Sequence, residues 1–137
     1  EAYNKLGSGK IQKEDILYCL RGSLGKHSII DFDGKGAIAS SLVILRADQS
    51  KIQPNFLLIQ LSMDEIIRQQ NQANNGSSQP NLSASSVKKY RIKLPSIELQ
   101  NKFVDIVKQI DKQKFEIENS LKKTQELYES LMEKYFG

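Results

Sequence analysis

Several features are scarce in this sequence, and each scarcity excludes a class of protein. The chain of 137 residues has one cysteine, Cys19, so it cannot form an internal disulfide. That cysteine lies in the apolar run 16–20, which favours a buried, unreactive thiol in a reducing compartment. No apolar run reaches the roughly eighteen residues of a membrane span. The sequence therefore predicts a cytoplasmic protein with no membrane partner.

Residues with catalytic or metal-binding chemistry are also few. His27 is the only histidine, so there is no histidine cluster for zinc and little support for a nucleophile–base pair. Asp31 and Asp33 could be paired carboxylates, but beside Gly34 they are more typical of turn-forming residues. Neither an Asn-Pro-Pro-aromatic motif nor a glycine-rich cofactor loop is present. The sequence predicts no catalytic residue, no metal site and no cofactor bound to this chain.

The segment 22–26, Gly-Ser-Leu-Gly-Lys, only partly matches a phosphate-binding loop. A Walker A loop has a longer spacer between its glycines and a Ser or Thr after its lysine. A turn with exposed amides beside Arg21 and Lys26 can still hold a nucleic-acid phosphate. The alternatives are an ordinary hairpin turn and, more remotely, an enzyme that binds a phosphate ligand here.

Positive charge is concentrated in the first part of the chain. Residues 1–96 hold 13 Lys and Arg against 8 Asp and Glu, whereas residues 97–137 hold 7 against 8. A basic body favours a polyanionic partner. Within it, the uncharged, amide-rich stretch 69–86 is expected to be a surface loop, either mobile or used to read bases, since Asn and Gln pair with adenine. The stretch 87–94 alternates basic and apolar residues, which predicts a strand with one positive face.

The remaining pattern predicts an α+β fold. Short apolar runs predict three strands, at residues 16–20, 27–30 and 42–46, of which the first two form a hairpin. Residues 56–68 predict a helix of about 13 residues with Pro54 near its first turn. We expect a small mixed β domain with one or two helices, residues 1–95, followed by a long coiled-coil-type helix, residues 96–137.

The long helix is predicted from Ser96 to Phe136, because no Gly or Pro interrupts that segment. At about 1.5 Å per residue it would span roughly 60 Å, more than the body's expected diameter. Its apolar residues follow a helical spacing that defines one stripe, formed by Phe103, Ile106, Ile110, Ile117, Leu121, Tyr128, Leu131 and Tyr135. Such a stripe favours a partner helix. Packing against its own domain is the alternative.

Three stretches together resemble the specificity (S) subunit of type I restriction-modification systems. They are KEDILYCLRGSLGKHSII, NGSSQPNLSASSVKKYRIKLPSIELQNKFVDIVKQID, and the long helix with its Leu-Tyr-Glu-Ser-Leu-Met close. The resemblance covers residues 13–136. Leu99-Gln100 stands where the family usually has Glu-Gln, and Pro95-Ser96 where it usually has Pro-Pro.

The resemblance implies a target recognition domain that reads one half of a bipartite double-stranded DNA sequence. In this family a conserved spacer helix pairs antiparallel with a counterpart, sets the distance between half-sites and docks the modification (methyltransferase) subunit. S-adenosylmethionine is expected on that partner subunit, and the restriction subunit joins for cleavage. This chain is expected to be non-catalytic, with an N-terminally truncated recognition domain.

Two sets of site residues follow. DNA is expected to be contacted by Arg21, Ser23, Lys26, Lys35, Gln79, Asn81, Lys88 and Lys89. The residues of the helix stripe are expected to pair helices, with a homodimer as one arrangement. The alternative function is a structural module that pairs helices without specific DNA binding. Salt-dependent DNA binding separates the two functions, because phosphate contacts release counterions.

Overall fold

The computed structural model describes residues 9–74 and 80–137. The chain divides into two units, one ending at Asn101 and the other beginning at Lys102. In the described part of the chain, no helix combines the length and the apolar character needed to cross a bilayer.

The first unit is built on a three-stranded antiparallel sheet in the order β2–β1–β3. Its strands are β1 (Ile16–Cys19), β2 (His27–Ile29) and β3 (Leu42–Leu45). In the central strand, Tyr18 lies opposite His27 on one side and Val43 on the other. Ile16 and Tyr18 alternate onto one face and are fully buried, as expected for a strand packed on a core. The three predicted strands and the hairpin are confirmed.

An ion pair between a buried carboxylate and a half-exposed arginine lies beside the Ile16 end of the sheet. The carboxylate of Asp15 is fully buried and accepts hydrogen bonds from Nε and Nη2 of Arg46, each at 2.7 Å. The backbone amide of Gln12 donates to the same carboxylate at 2.8 Å. Burial alone would raise the pKa of Asp15, but the bonds from Arg46 and Gln12 outweigh it and hold the pKa below its usual value.

Two helices follow β3, namely α1 (Pro54–Leu61) and α2 (Asp64–Ala73). Pro54 occupies the first turn of α1, where its missing amide hydrogen costs nothing. The Gln53 side chain caps this helix by accepting the Phe56 amide at 2.7 Å.

The prediction of one helix over 56–68 is wrong. Helix α1 ends at Leu61. The backbone amide of the next residue, Ser62, donates to the Ile59 carbonyl at 3.1 Å, and Met63 is extended with a ψ of 147°. Asp64 and Glu65 then open α2, where acidic side chains favour the positive end of a helix dipole.

The amide-rich stretch 69–86, predicted as a loop, is helical at both of its ends. Residues 69–73 form the C-terminal half of α2, and residues 84–86 lie in α3 (Ala84–Lys88). Gln and Ala are good helix formers, and Ile66 anchors α2 to the core, so the helix continues into the stretch.

The predicted strand over 87–94 is also wrong. Its first two residues end α3, which Ser83 caps by accepting the Ser86 amide at 3.0 Å. No regular element follows until the long helix, α4 (Ile97–Phe136), in this described segment.

Glutamine side chains take the place of a neighbouring strand along this irregular segment. Gln69 of α2 donates to the Arg91 carbonyl at 3.0 Å and accepts the Arg91 amide at 2.8 Å. Gln60 of α1 makes the same pair of bonds with Lys93, at 2.9 and 2.7 Å. A carboxamide carries a donor and an acceptor side by side, so it satisfies the backbone as a strand edge would.

The core lies where the sheet meets the short helices. Its buried cluster consists of Ile16, Tyr18, Leu20, Leu61, Ile66, Leu82 and Val87. Leu82 and Val87 come from the far side of the amide-rich stretch. Their burial brings this stretch and the basic residues after it to the central strand.

Helix α4 spans 40 residues and confirms the predicted long helix. Near its start, the side chain of Gln100 is fully buried, and its Oε1 accepts a hydrogen bond from the Gln53 backbone amide at 2.8 Å. Its nitrogen donates to the carbonyls of Lys51 at 2.9 Å and Pro95 at 2.8 Å. A small sheet with helices, followed by a long C-terminal helix, confirms the predicted α+β fold class.

Candidate DNA-binding surface

The β1–β2 turn, residues 20–26, presents basic and polar side chains on a fixed backbone. The Cys19 amide donates to the Lys26 carbonyl at 2.9 Å, and the Lys26 amide donates to the Ser23 carbonyl at 3.1 Å. Arg21, Ser23 and Lys26 are exposed. The turn therefore leaves the predicted phosphate-contacting side chains open to solvent.

Gly25 of this turn lies against α2. A Cβ atom at Gly25 would collide with the Gln70 carboxamide, whereas one at Gly22 would meet nothing within 4 Å. Gln70 accepts the Tyr18 hydroxyl at 2.9 Å, and the Tyr90 hydroxyl lies 3.3 Å from the same Tyr18 oxygen. Burial and the neighbouring Tyr90 raise the pKa of Tyr18 above its usual value.

His27 ties the turn to the end of α1. Its Nδ1 lies 2.7 Å from the Gly25 carbonyl and its Nε2 lies 2.9 Å from Oγ of Ser62. A carbonyl can only accept, so Nδ1 of His27 carries a proton and donates to Gly25. Residues 9–74 and 80–137 contain no group of three or more His, Cys, Asp or Glu placed to hold a metal ion.

The amide-rich stretch meets the turn at an isolated antiparallel bridge between Arg21 and Asn81. Beside the bridge, the Leu82 amide donates to the Leu20 carbonyl at 2.9 Å. The backbone amide of Asn81 also donates to the side-chain Oδ1 of Asn74, at the C-terminal end of α2, at 3.1 Å. Two segments that are distant in the sequence, each predicted to face DNA, therefore lie together beside α2.

The predicted basic residues Lys88 and Lys89 lie at the C-terminal end of α3 and are exposed. Between α2 and α3 is a cleft of about 280 Å³. Its lining residues are Gln69, Gln72, Ala73, Ser86, Lys89 and Tyr90. Lys89 and Gln72 thus share one polar cleft, which places a cation next to an exposed carboxamide.

Two predicted residues lie outside this arrangement. Lys35 belongs to the loop that leaves β2 at the Ile16 end of the sheet. It is next to Gly36, whose carbonyl accepts the Ile11 amide at 3.1 Å. Gln79 lies outside the described residues.

The predicted helix-pairing residues are exposed in the single chain. Their exposed fractions run from 36% at Phe103 to 69% at Leu121, with 67% at Ile117. Such exposure along one helix is typical of a surface that another helix covers.

Sequence reasoning missed the helical carboxamides of α2. The sequence pattern places Gln69 and Gln70 in a loop, whereas both lie in α2 and bond neighbouring segments, Gln69 to Arg91 and Gln70 to Tyr18. The available signal was the acidic pair Asp64 and Glu65, which marks a new helix start just before the stretch.

Residues 2–128 match the family described as the type I restriction modification DNA specificity domain. The type I restriction enzyme EcoBI specificity subunit of Escherichia coli is 28% identical over 131 residues, or 93% of this chain and 28% of that protein. The crystal structure of the HsdS subunit from Thermoanaerobacter tengcongensis has a TM-score of 0.76 at 22% identity, over 94% of this chain and 35% of that one.

A second solved structure comes from work on complex assembly and conformational transition of the type I R-M system. It has a TM-score of 0.73 at 23% identity, over 93% of this chain and 34% of that one. The likeness to these structures supports the fold. The chain spans 28% of the length of the similar curated protein and 35% of that of the first solved structure.

Proposed function

This chain belongs to the type I restriction modification DNA specificity domain family, and from that membership we propose that it is a sequence-specific DNA-recognition module. It reads one half-site of double-stranded DNA for a type I restriction-modification system and is not itself catalytic. The observation that carries the proposal is the bridge between Arg21 and Asn81. It joins a basic turn to an amide-bearing segment, which combines phosphate positioning with base reading.

The long helix supplies the second surface of this proposal. Its exposed stripe pairs with a counterpart helix and docks the modification subunit, and the restriction subunit joins in the full complex. S-adenosylmethionine and the methyl-transfer chemistry belong to the modification subunit. The exposure of Ile117 and Leu121, at 67% and 69%, supports a partner on this face.

DNA binding by the 137-residue chain tests the first part of the proposal. Fluorescence anisotropy with a labelled duplex is expected to show affinity that falls steeply as salt rises, because phosphate contacts release counterions. Arg21→Ala and Lys89→Ala should each weaken binding and lower the salt slope by about 1.

The matched control is Lys108→Ala, which removes an exposed lysine from the long helix. It should leave the affinity and slope unchanged. Binding that is insensitive to salt, or equal losses for Lys108→Ala and Arg21→Ala, would count against DNA recognition by this surface. The structural-module alternative would then stand.

A further inference from the structure

Five of the six residues in 69–74 carry a carboxamide. Three of these side chains are used by the fold, with Gln69 bonded to Arg91, Gln70 to Tyr18 and Asn74 to Asn81. The other two, Asn71 and Gln72, make no side-chain hydrogen bond to any residue in the described ranges. Their donors and acceptors are available to a ligand.

Helical geometry places these two amides on the outward face of α2, defined here as Arg68, Asn71 and Gln72. Ile66 is 3% exposed and marks the side of α2 that faces the core. At about 100° per residue, the three outward residues fall on the opposite side, and all three are exposed. The outward face is therefore polar, and Arg68 is its charged member. Asp64 falls on the same side of the helix, about two turns before Gln72.

Basic residues flank this face on both sides. On one side, Asn74 accepts the amide of Asn81, which is bridged to Arg21. On the other side, Gln72 shares its cleft with Lys89. In a DNA complex, the cations would contact the phosphates of the two strands, and the amides between them would contact the base edges.

The acidic residues of α2 lie away from the amides. Asp64 and Glu65 occupy its first turn, and Glu65 pairs with Nζ of Lys93 at 3.6 Å. Repulsion of phosphates is thus confined to the start of the helix. The C-terminal half is the part that can approach DNA.

We propose that the outward face of α2 is the base-reading element of this module, with Gln72 as the residue that specifies an A·T base pair. The inference rests on the proposed function and adds to it the element and the base. The major groove, about 12 Å wide, admits an α-helix, and a glutamine carboxamide bonds adenine through N6 and N7 at once. The bonds of Gln69 and Gln70 hold α2 in place before DNA arrives, which lowers the ordering cost of binding.

Selection of binding sites from a randomised duplex pool tests this assignment. The 137-residue chain, Gln72→Ala, Gln72→Glu and the control Gln113→Ala are each carried through the selection. Gln113 is an exposed glutamine in the long helix. The wild type and the control should select the same motif.

Gln72→Ala should lose the preference at one A·T position, by about tenfold in competition with the other bases, and keep the rest of the motif. Gln72→Glu should change the preferred base at that position to cytosine, since a carboxylate accepts from cytosine N4. A merely structural role for Gln72 predicts no such exchange. Circular dichroism should show equal helix content for all variants, because Gln72 is exposed and Ala is a strong helix former.

The outcomes separate this inference from the proposed function. If the wild type selects a motif and both Gln72 variants select the same one with the same strength, the base-reading role of Gln72 is overturned and DNA recognition stands. If the wild type binds no duplex or selects no motif, DNA recognition itself fails.

Discussion

Gly22 and Gly25 have almost the same backbone conformation, with φ of +75° and +73°, but different surroundings. Only Gly25 faces a neighbour, the Gln70 carboxamide. Gly22→Ala should lower the free energy of unfolding by about 1 kcal/mol through backbone strain alone. Gly25→Ala adds displacement of Gln70 from Tyr18, so we expect a further loss of about 1–2 kcal/mol.

Urea denaturation of the two variants measures this difference. Equal losses would show that the contact between the turn and α2 contributes nothing to stability. Fluorescence of the exposed and buried tyrosines gives the transition, and the slope of the curves checks that the unfolding remains two-state.

The pair of Asp15 and Arg46 gives the protein a pH-dependent term. Arg46→Ala leaves a fully buried carboxylate without its cation and should cost about 2–3 kcal/mol at neutral pH. The pKa of Asp15 is lowered in the folded state, so its stabilisation is complete above the unfolded pKa of about 4 and is lost as pH falls through the lower folded value.

Urea denaturation at several pH values between neutrality and about pH 3 tests that sign. The stabilities of wild type and Arg46→Ala should converge in acid. Arg68→Ala, which removes an exposed arginine, should change stability little at any pH. A difference between wild type and Arg46→Ala that stays constant with pH would contradict the pairing.

Candidate residues of the DNA-binding surface can be chosen from the sequence, but their neighbours in the fold cannot. Arg21 and Asn81 were both identified from chemical type, one as a cation in a glycine turn and the other as an amide in an uncharged stretch. Their bridge depends on Leu82 and Val87 packing beside the central strand, a long-range arrangement that no local pattern specifies.

At the scale of elements, the spacing of apolar residues predicted the strands and the long helix, because each of these elements contains at least one complete repeat of its own spacing. The same spacing gave a wrong prediction over 87–94, where the apolar residues anchor a short helix and an irregular segment. There Gln60 and Gln69, distant in the sequence, satisfy the backbone. It also merged α1 and α2, because the two-residue break at Ser62 and Met63 carries neither Gly nor Pro.

Substitution of Gln100 measures how much such buried carboxamides contribute to the free energy of unfolding. Gln100→Ala removes the partners of three backbone groups, at Lys51, Gln53 and Pro95, and should cost about 2–3 kcal/mol. Gln109→Ala, on an exposed position of the same helix, should cost less than about 0.5 kcal/mol.

Thermal unfolding followed by circular dichroism compares the two variants. The melting temperature of Gln100→Ala should fall by several degrees and that of Gln109→Ala should not. Equal melting temperatures would mean that water replaces the lost partners.

At the scale of the whole molecule, the family resemblance carried by three sequence stretches is confirmed by the match over residues 2–128. The assembly stays a prediction. If the helix stripe pairs two copies of this chain, light scattering should give a dimer for the wild type and a monomer for Ile117→Asp, because a carboxylate would be buried among apolar side chains.

Asn119→Asp adds the same charge on the other side of the helix and should remain a dimer. A wild-type monomer would contradict self-pairing and place the counterpart helix on the modification subunit or elsewhere in the polypeptide. Base specificity and partner choice could not be predicted from the sequence, since both depend on surfaces assembled from separated segments.

The bridge between Arg21 and Asn81 also has a consequence for how the chain folds. It closes a long loop, whose ordering entropy must be overcome before the contact forms, and such contacts slow folding. In a nascent or partly folded chain, the turn or the amide segment is therefore present, but the two are not yet joined into one surface. Because only the completed fold presents that surface, DNA should bind it selectively and raise its melting temperature, so that recognition reports on correct folding.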